Sequence, residues 1–290
     1  MSEEFGARVR LFAAIEGGSV FWGDQVRVNG PLAVVDRLLA GGYHGEKNSA
    51  AKIADRLRGT SVDAALAHIA AADSYFIAPT DADWPSGLND LAAPPLGLIA
   101  KGARENLEKL GESIAIVGTR NPTSYGVRVA GELAAGIVDR EWSVVSGGAY
   151  GIDAAAHKGA IVAEGVTIAV LACGTHVKYP AANEKLFEVI EETGLLLSEV
   201  MPSVPAMPSR FLIRNRLIAA LSRGTVVVEA AYRSGSLRTA RDAAEIFRPV
   251  MAIPGLITSP TSEGCHRLVA ERCAELVSSV SEIFAQVTLL

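Results

Sequence analysis

The chain has 290 residues, 49% of them hydrophobic, with 27 lysines and arginines against 32 aspartates and glutamates, for a net charge of −5. That is apolar material for one large or two medium domains, and it gives no general attraction to nucleic acid, so any polyanion site must be a local basic patch. The acidic N-terminus lacks a signal-peptide pattern, no apolar run approaches the roughly 20 residues of a membrane span, and the widely spaced Cys173, Cys265 and Cys273 form neither a CxxC pair nor a metal-ligand set; the expectation is a soluble cytoplasmic protein with no membrane contact, metal or cofactor.

Residues 1 to about 72 read as a small helical N-terminal module. Val9, Leu11, Phe12 and Ile15 form one apolar face, Leu32, Val35, Leu38 and Leu39 another. Lys52 to Leu57 and Val62 to Ile69 add two more helices. Gly17-Gly18, Asn29-Gly30-Pro31 and Gly41-Gly42 break the pieces, and their glycines read as helix terminators rather than as DNA-binding hairpins. Residues 73–290 read as a second domain of different character. Tyr75–Ala78 and Leu96–Ile99 are its entry strands, with Trp84 as a packing anchor between them.

From Ile114 a strand–turn–helix pattern repeats. Strands at 114–117, 143–146, 167–173, 195–200, 225–230 and 250–253 alternate with helices at 125–139, 152–164, 183–193, 211–222 and 237–247, and a short strand at 274–277 stands between two last helices. Near-continuous apolar strands with short connections predict an α/β fold, a mostly parallel sheet with helices on both faces. Ligands of such sheets bind at the carboxyl ends of the strands.

Candidate chemistry collects at those ends. Gly118-Thr119-Arg120 follows the first strong strand, where backbone N–H groups, a hydroxyl and a guanidinium could converge on one phosphate; a tight turn with a solvent-facing arginine is the plain alternative. The spacing is neither GxGxxG nor GxxxxGK[ST]. Ser146-Gly147-Gly148 repeats the arrangement at the second strand end and would floor the site. Four residues apart, Asp153 and His157 read as a turn brace and the neighbour it satisfies. Lys178 could reach a phosphate, and Tyr179 could stack on a base, with core packing beside Pro180 as the preferred reading. Arg210, Phe211, Arg214, Asn215 and Arg216 open a helix, where three cations oppose the helix dipole, a poor choice for stability and a reasonable one for a polyanion. Arg214 or Arg216 pairing with Glu199 or Glu229 is the structural alternative. Arg233-Ser234-Gly235-Ser236 forms a second anion nest before the next helix. From Ser203 to Arg248 eight arginines face Glu229, Asp242 and Glu245, a local excess of five positive charges.

Taken together, the blocks IVGTRNPTSYG, VVSGGAYGIDAAAHKGA, TIAVLACGTHVKYPAAN, LLLSEV, RFLIRNRLIAALSRGTVVVEAAYRSGSLRTA and AIPG resemble, in order, the family of DNA-processing protein A, also called Smf. The resemblance runs from about Asp81 to the C-terminus. It implies an extended Rossmann-like fold, a homodimer, no enzymatic activity, binding and protection of single-stranded DNA, and help in loading RecA recombinase during natural transformation. It also implies phosphate contacts at Gly118, Thr119, Arg120, Arg210, Phe211 and Arg233. Many members carry a DNA-contacting lysine after the Tyr-Pro pair; here that position is Ala181, which leaves Lys178 or Lys185 to substitute. The N-terminal module departs from the family's helix-hairpin-helix pattern, and the chain stops at Leu290, so no C-terminal winged helix is expected. The rival reading is a nucleotide-binding sensor or an enzyme similar to the nucleoside-monophosphate phosphoribohydrolases of related fold, through Arg223-Gly224-Thr225 and Glu229, which weakly echo PGGxGTxxE without its leading proline–glycine pair.

Overall fold

A computed structural model describes residues 2–43 and 47–288. Five helices come first: α1 (Glu3–Ala14), α2 (Val20–Asn29), α3 (Pro31–Leu39), α4 (Lys47–Gly59) and α5 (Val62–Ala71). Four of them were legible as apolar faces. The unexpected α2 buries only Trp22 and Val26, too few positions to write a periodic stripe. Arginines of this region serve its own backbone: Arg10 Nη2 donates to Leu57 O (2.7 Å) and Arg56 Nη1 to Ala14 O (3.0 Å), satisfying carbonyls at helix ends.

The rest of the chain builds one nine-stranded sheet. Its strands are β1 (Tyr75–Ile77), β2 (Leu98–Gly102), β3 (Ser113–Val117), β4 (Ser143–Ser146), β5 (Thr167–Leu171), β6 (Leu195–Ser198), β7 (Gly224–Val227), β8 (Val250–Ala252) and β9 (Glu275–Leu276). Their spatial order is β1-β2-β6-β5-β4-β3-β7-β8-β9. The pairs β1–β2 and β2–β6 are antiparallel; every other pair is parallel. This is the mostly parallel architecture that the alternating pattern predicts and the extended Rossmann-like fold that the resemblance implies. The connecting helices are α6 (Ser124–Val138), α7 (Ile152–Val162), α8 (Glu184–Thr193), α9 (Pro208–Ala220), α10 (Ser236–Glu245), α11 (Glu263–Ala270) and α12 (Val280–Val287).

The two-residue period of β3 sorts the core into two layers. Ile114 and Ile116 face a layer closed by α6, α7 and α12 through Leu133, Ile137, Ile152 and Ile283. Ala115 and Val117 face the opposite layer, closed by α9 and α10 through Leu217, Ile218 and Leu237. The N-terminal helices cover the antiparallel edge, where Val9, Phe12 and Ile69 meet Phe76 and Ile99.

Some helix starts differ from expectation. The N-cap of α6 is Thr123, whose hydroxyl accepts from Gly126 N, and Ser124 is already helical. The arginine-rich helix begins three residues before Phe211, with Pro208 at its first turn, where the missing N–H costs nothing.

The order of strands puts a reversal at β3. The chain walks outward through β4, β5 and β6 on one side, then returns to lay β7 on the other. A reversal of this kind opens a crevice at the carboxyl ends of the strands, and the loops after β3 and β7 meet there.

Candidate functional site

The crevice holds a cleft of about 740 Å³, walled by the turn after β3, the start of α9 and the turn before α10. Gly118, Thr119, Arg120, Phe211, Arg214, Asn215, Arg233, Ser234, Gly235 and Ser236 all line it. Three separated stretches of sequence thus converge because β3 and β7 are neighbours and α9 crosses behind them.

The cleft's mouth is an aromatic and cationic cluster. The Arg120 guanidinium lies over the Phe211 ring, 4.9 Å from its centroid. The Tyr179 ring stands 5.7 Å from Phe211 at an interplanar angle of 57°. Tyr179 is 48% exposed, so it lines the cleft rather than packing into the core. The structure thus favours the stacking alternative over the preferred packing reading. A guanidinium over a ring is attracted by the ring's quadrupole and loses little freedom when it meets a phosphate.

Beneath the cluster lies a buried cation. Arg214 is 5% exposed, its Nη1 donates to Val170 O (2.6 Å), and its Nε has no hydrogen-bond partner. Burial pulls its guanidinium down to about 10, against the opposing pull of Asp153; it stays positive at neutral pH. The Asp153 carboxyl is pushed up by burial, with Arg214 and the backbone N–H groups of Ala149, Gly147 and Gly118 working the other way. Asp153 Oδ2 accepts from Gly147 N (3.1 Å) and Ala149 N (3.4 Å), the brace expected of it.

That brace changes the part played by the second turn. Gly147 N–H is spent on Asp153, Ser146 Oγ donates to Ile116 O (2.6 Å), and Gly148 O accepts from Asn183 Nδ2 (3.0 Å). Ser146, Gly147 and Gly148 are buried and do not line the cleft. They form its foundation and offer no free anion nest. A Cβ at residue 147 would enter the Arg214 guanidinium and force it to shift.

His157 is satisfied by a different neighbour than expected. Its Nδ1 lies 2.7 Å from Thr167 Oγ1, and that hydroxyl donates to Val144 O (2.9 Å), so His157 Nδ1–H is the donor of the first bond. Nε2 is buried without a partner. Burial, with Arg214 nearby, draws this imidazole down to about 3.

Three predicted cations are engaged elsewhere. Lys178 forms an ion pair with Glu191 of α8, which also holds Lys101 at 3.3 Å. Its side chain runs along the β6 side of the sheet and does not line the cleft. Arg216 places Nη2 2.6 Å from both carboxylate oxygens of Glu199, with the two side chains only 12% and 9% exposed, the structural pairing weighed from sequence. Arg210 gives Nη2 and Nε to Glu16 (2.7 and 3.1 Å) and Nη1 to Pro205 O (2.6 Å).

The third wall is a helix start. Ser234 Oγ and Ser236 Oγ are 2.8 Å apart, and Asn215 Nδ2 donates to Gly235 O (3.2 Å), tying the α9 wall to the α10 wall. Neither α9 nor α10 has a side-chain cap or an acidic residue in its first turn. Two positive helix ends therefore join Arg120, Arg214 and Arg233 at one cleft.

Glu229 stands outside the cleft wall. Its Oε1 accepts from Thr123 Oγ1 (2.7 Å) and Thr261 Oγ1 (3.1 Å), and Oε2 from Thr123 N (2.9 Å). It holds the start of α6 in place. Among the described residues no group of three or more His, Cys, Asp or Glu side chains could hold a metal ion, and no helix is long and apolar enough to cross a membrane.

Comparison with known proteins places this architecture. The family model for DNA recombination-mediator protein A matches residues 75–288. A DprA-type relative in Mycobacterium tuberculosis is 46% identical over 218 residues, a match that covers 71% of this chain and 56% of the relative; the match thus spans little more than half of that relative's length. The crystal structure of DNA processing protein A from Streptococcus pneumoniae superposes over 99% of this chain and 98% of its own, at 32% identity and a TM-score of 0.81. DNA processing protein A from Helicobacter pylori, described for its single-stranded DNA binding mode, aligns over 72% of this chain and 93% of its own, at 28% identity and a TM-score of 0.65.

Proposed function

Because the chain belongs to the DNA recombination-mediator protein A family, we propose that it binds single-stranded DNA in the cleft at the β3–β7 reversal and acts in DNA processing during natural transformation. One observation carries this reading: Arg120, Phe211 and Tyr179 stand together over the buried Arg214. A base has a flat face for Phe211 and Tyr179, and the phosphate beside it has Arg120 and two helix ends. A duplex keeps its bases stacked and offers such a cluster nothing to hold. Phosphate contacts dominate, so affinity is strong in low salt and nearly indifferent to sequence.

The protein is a binder rather than a catalyst in this reading. Glu229, the residue a nucleotide hydrolase of related fold would need, is consumed by Thr123 and Thr261. The bound strand would be protected and handed to RecA recombinase in the cytoplasm. A homodimer would use the far end of the sheet, where the edge strand β9 exposes Leu276 (55%) and the loop after β8 exposes Leu256 (74%) and Ile257 (90%). An open strand edge with apolar neighbours is a surface that a second copy would cover. Two clefts on one dimer would raise avidity for a long strand.

Fluorescence anisotropy with labelled oligo-dT, competed by unlabelled duplex, tests the reading. Binding that oligo-dT displaces and duplex does not is the expected result. Release of base from AMP that disappears in Glu229→Ala would instead place the protein among nucleotide hydrolases.

A further inference from the structure

Arg210 and Arg214 lie one helical turn apart on α9, yet only Arg214 lines the cleft. Arg210 is turned to the N-terminal helices, where Glu16 receives it. The two bonds from Nη2 and Nε to the two carboxylate oxygens form the parallel fork that a guanidinium also offers a phosphate. Glu16 sits at the start of α9, a helix with no acidic residue in its own first turn. A carboxylate from a distant part of the chain thus fills the anionic place that the helix end and its arginine together create.

Two glutamates bind this corner in different ways. Glu199 is buried with Arg216, and the Gly17-Gly18 turn packs directly on its carboxylate. A side chain at residue 17 would collide with Glu199. That pair holds the α1–α2 turn against the sheet domain and has no room for a competitor. Glu16, one residue earlier, is 48% exposed. The bond from Arg210 is the main reason its carboxyl sits below the usual range. Arg210 is only 12% exposed, so solvent reaches the pair from the carboxylate side, and that is the side from which a second anion can replace Glu16.

We propose that Glu16 stands in for a backbone phosphate on Arg210 and that an incoming strand displaces it, so that the N-terminal module sets the DNA affinity of the cleft. The inference rests on the single-stranded DNA reading above. Phe211, beside Arg210 in sequence, already lines the cleft, so a strand stacked there brings its next phosphate to the Arg210 corner. The buried Arg216–Glu199 pair keeps the module docked while Glu16 lets go.

The test compares oligo-dT binding by wild type, Glu16→Gln, Arg210→Ala and the double variant, at low salt, with thermal melting to confirm folding. Glu3→Gln, in the first turn of α1 and away from the Arg210 corner, controls for the charge change. Glu16→Gln should bind about two- to fivefold tighter, the worth of an exposed ion pair, with a steeper salt dependence. Arg210→Ala should bind more weakly, and Glu16→Gln should add nothing in its background. Unchanged or weaker binding by Glu16→Gln overturns the inference, as does an equal gain in the Arg210→Ala background or in Glu3→Gln. Absence of oligo-dT binding in wild type overturns the single-stranded DNA reading itself and the inference with it.

Discussion

Gly147 and Arg214 share one space: a Cβ on residue 147 would fall on Nη1 of the buried guanidinium. The turn after β4 is glycine because an arginine from α9 must pass beneath the cleft. Gly147→Ala should therefore displace Arg214 from Val170 O and cost about 1–3 kcal/mol, the range for inserting a methyl into a packed interior. Urea unfolding measures the loss, and oligo-dT affinity should fall with it. A variant as stable as wild type would mean that Arg214 has another place to go.

The aromatic pair separates base contacts from phosphate contacts. Phe211→Ala should weaken oligo-dT binding by about 1–3 kcal/mol, the worth of a stacked base, while the slope of log affinity against log salt stays unchanged. Tyr179→Phe should bind as wild type, since stacking uses the ring and not the hydroxyl. A flattened salt slope in Phe211→Ala would show that Phe211 acts by holding Arg120 rather than by touching a base.

Lys178 should be silent in DNA binding. Glu191 of α8 holds it together with Lys101 of β2, away from the cleft. Lys178→Ala should keep oligo-dT affinity within about twofold, as surface changes away from a contact usually do. A large loss would return Lys178 to the binding surface.

His157 makes stability depend on pH. Its folded-state value of about 3 lies below the ordinary imidazole value of 6.5. Between those limits the unfolded chain binds a proton that the folded chain refuses. Stability is therefore full above about 6.5 and falls as pH drops toward 3, by up to about tenfold in the folding equilibrium per pH unit. His157→Asn keeps a donor for Thr167 and removes the proton. Urea midpoints between pH 7 and 5 should fall more steeply for wild type than for the variant; parallel lines would contradict the assignment.

Much of this was legible in the residues. All nine strands were legible as short apolar runs bounded by glycine, proline and polar turns, and the inner ones most clearly, because strands buried on both faces carry a dense signal. The convergence of Gly118–Arg120, Phe211–Asn215 and Arg233–Ser236 was also readable, since each stretch stands at a strand end or helix start. The destinations of long side chains were not. Arg210, Arg216 and Lys178 carry the same charge in the sequence, and each finds a carboxylate on another segment of the chain, at Glu16, Glu199 and Glu191; of these only the Arg216–Glu199 pairing was among the alternatives the residues offered. Tyr179 had both readings, stacking and packing, and only its exposed place beside Phe211 decides between them. Residue type announces an anion site, but three-dimensional neighbours decide which cations remain free to serve it.

The central claim is that the Arg120 edge of the cleft holds the backbone of a single strand. Oligo-dT affinity measured from low to high salt, for wild type and Arg120→Ala, tests it most directly. The variant should bind more weakly on every sequence, and its log–log salt slope should be smaller by about 0.7, one phosphate contact on a single strand. An unchanged slope would contradict the account.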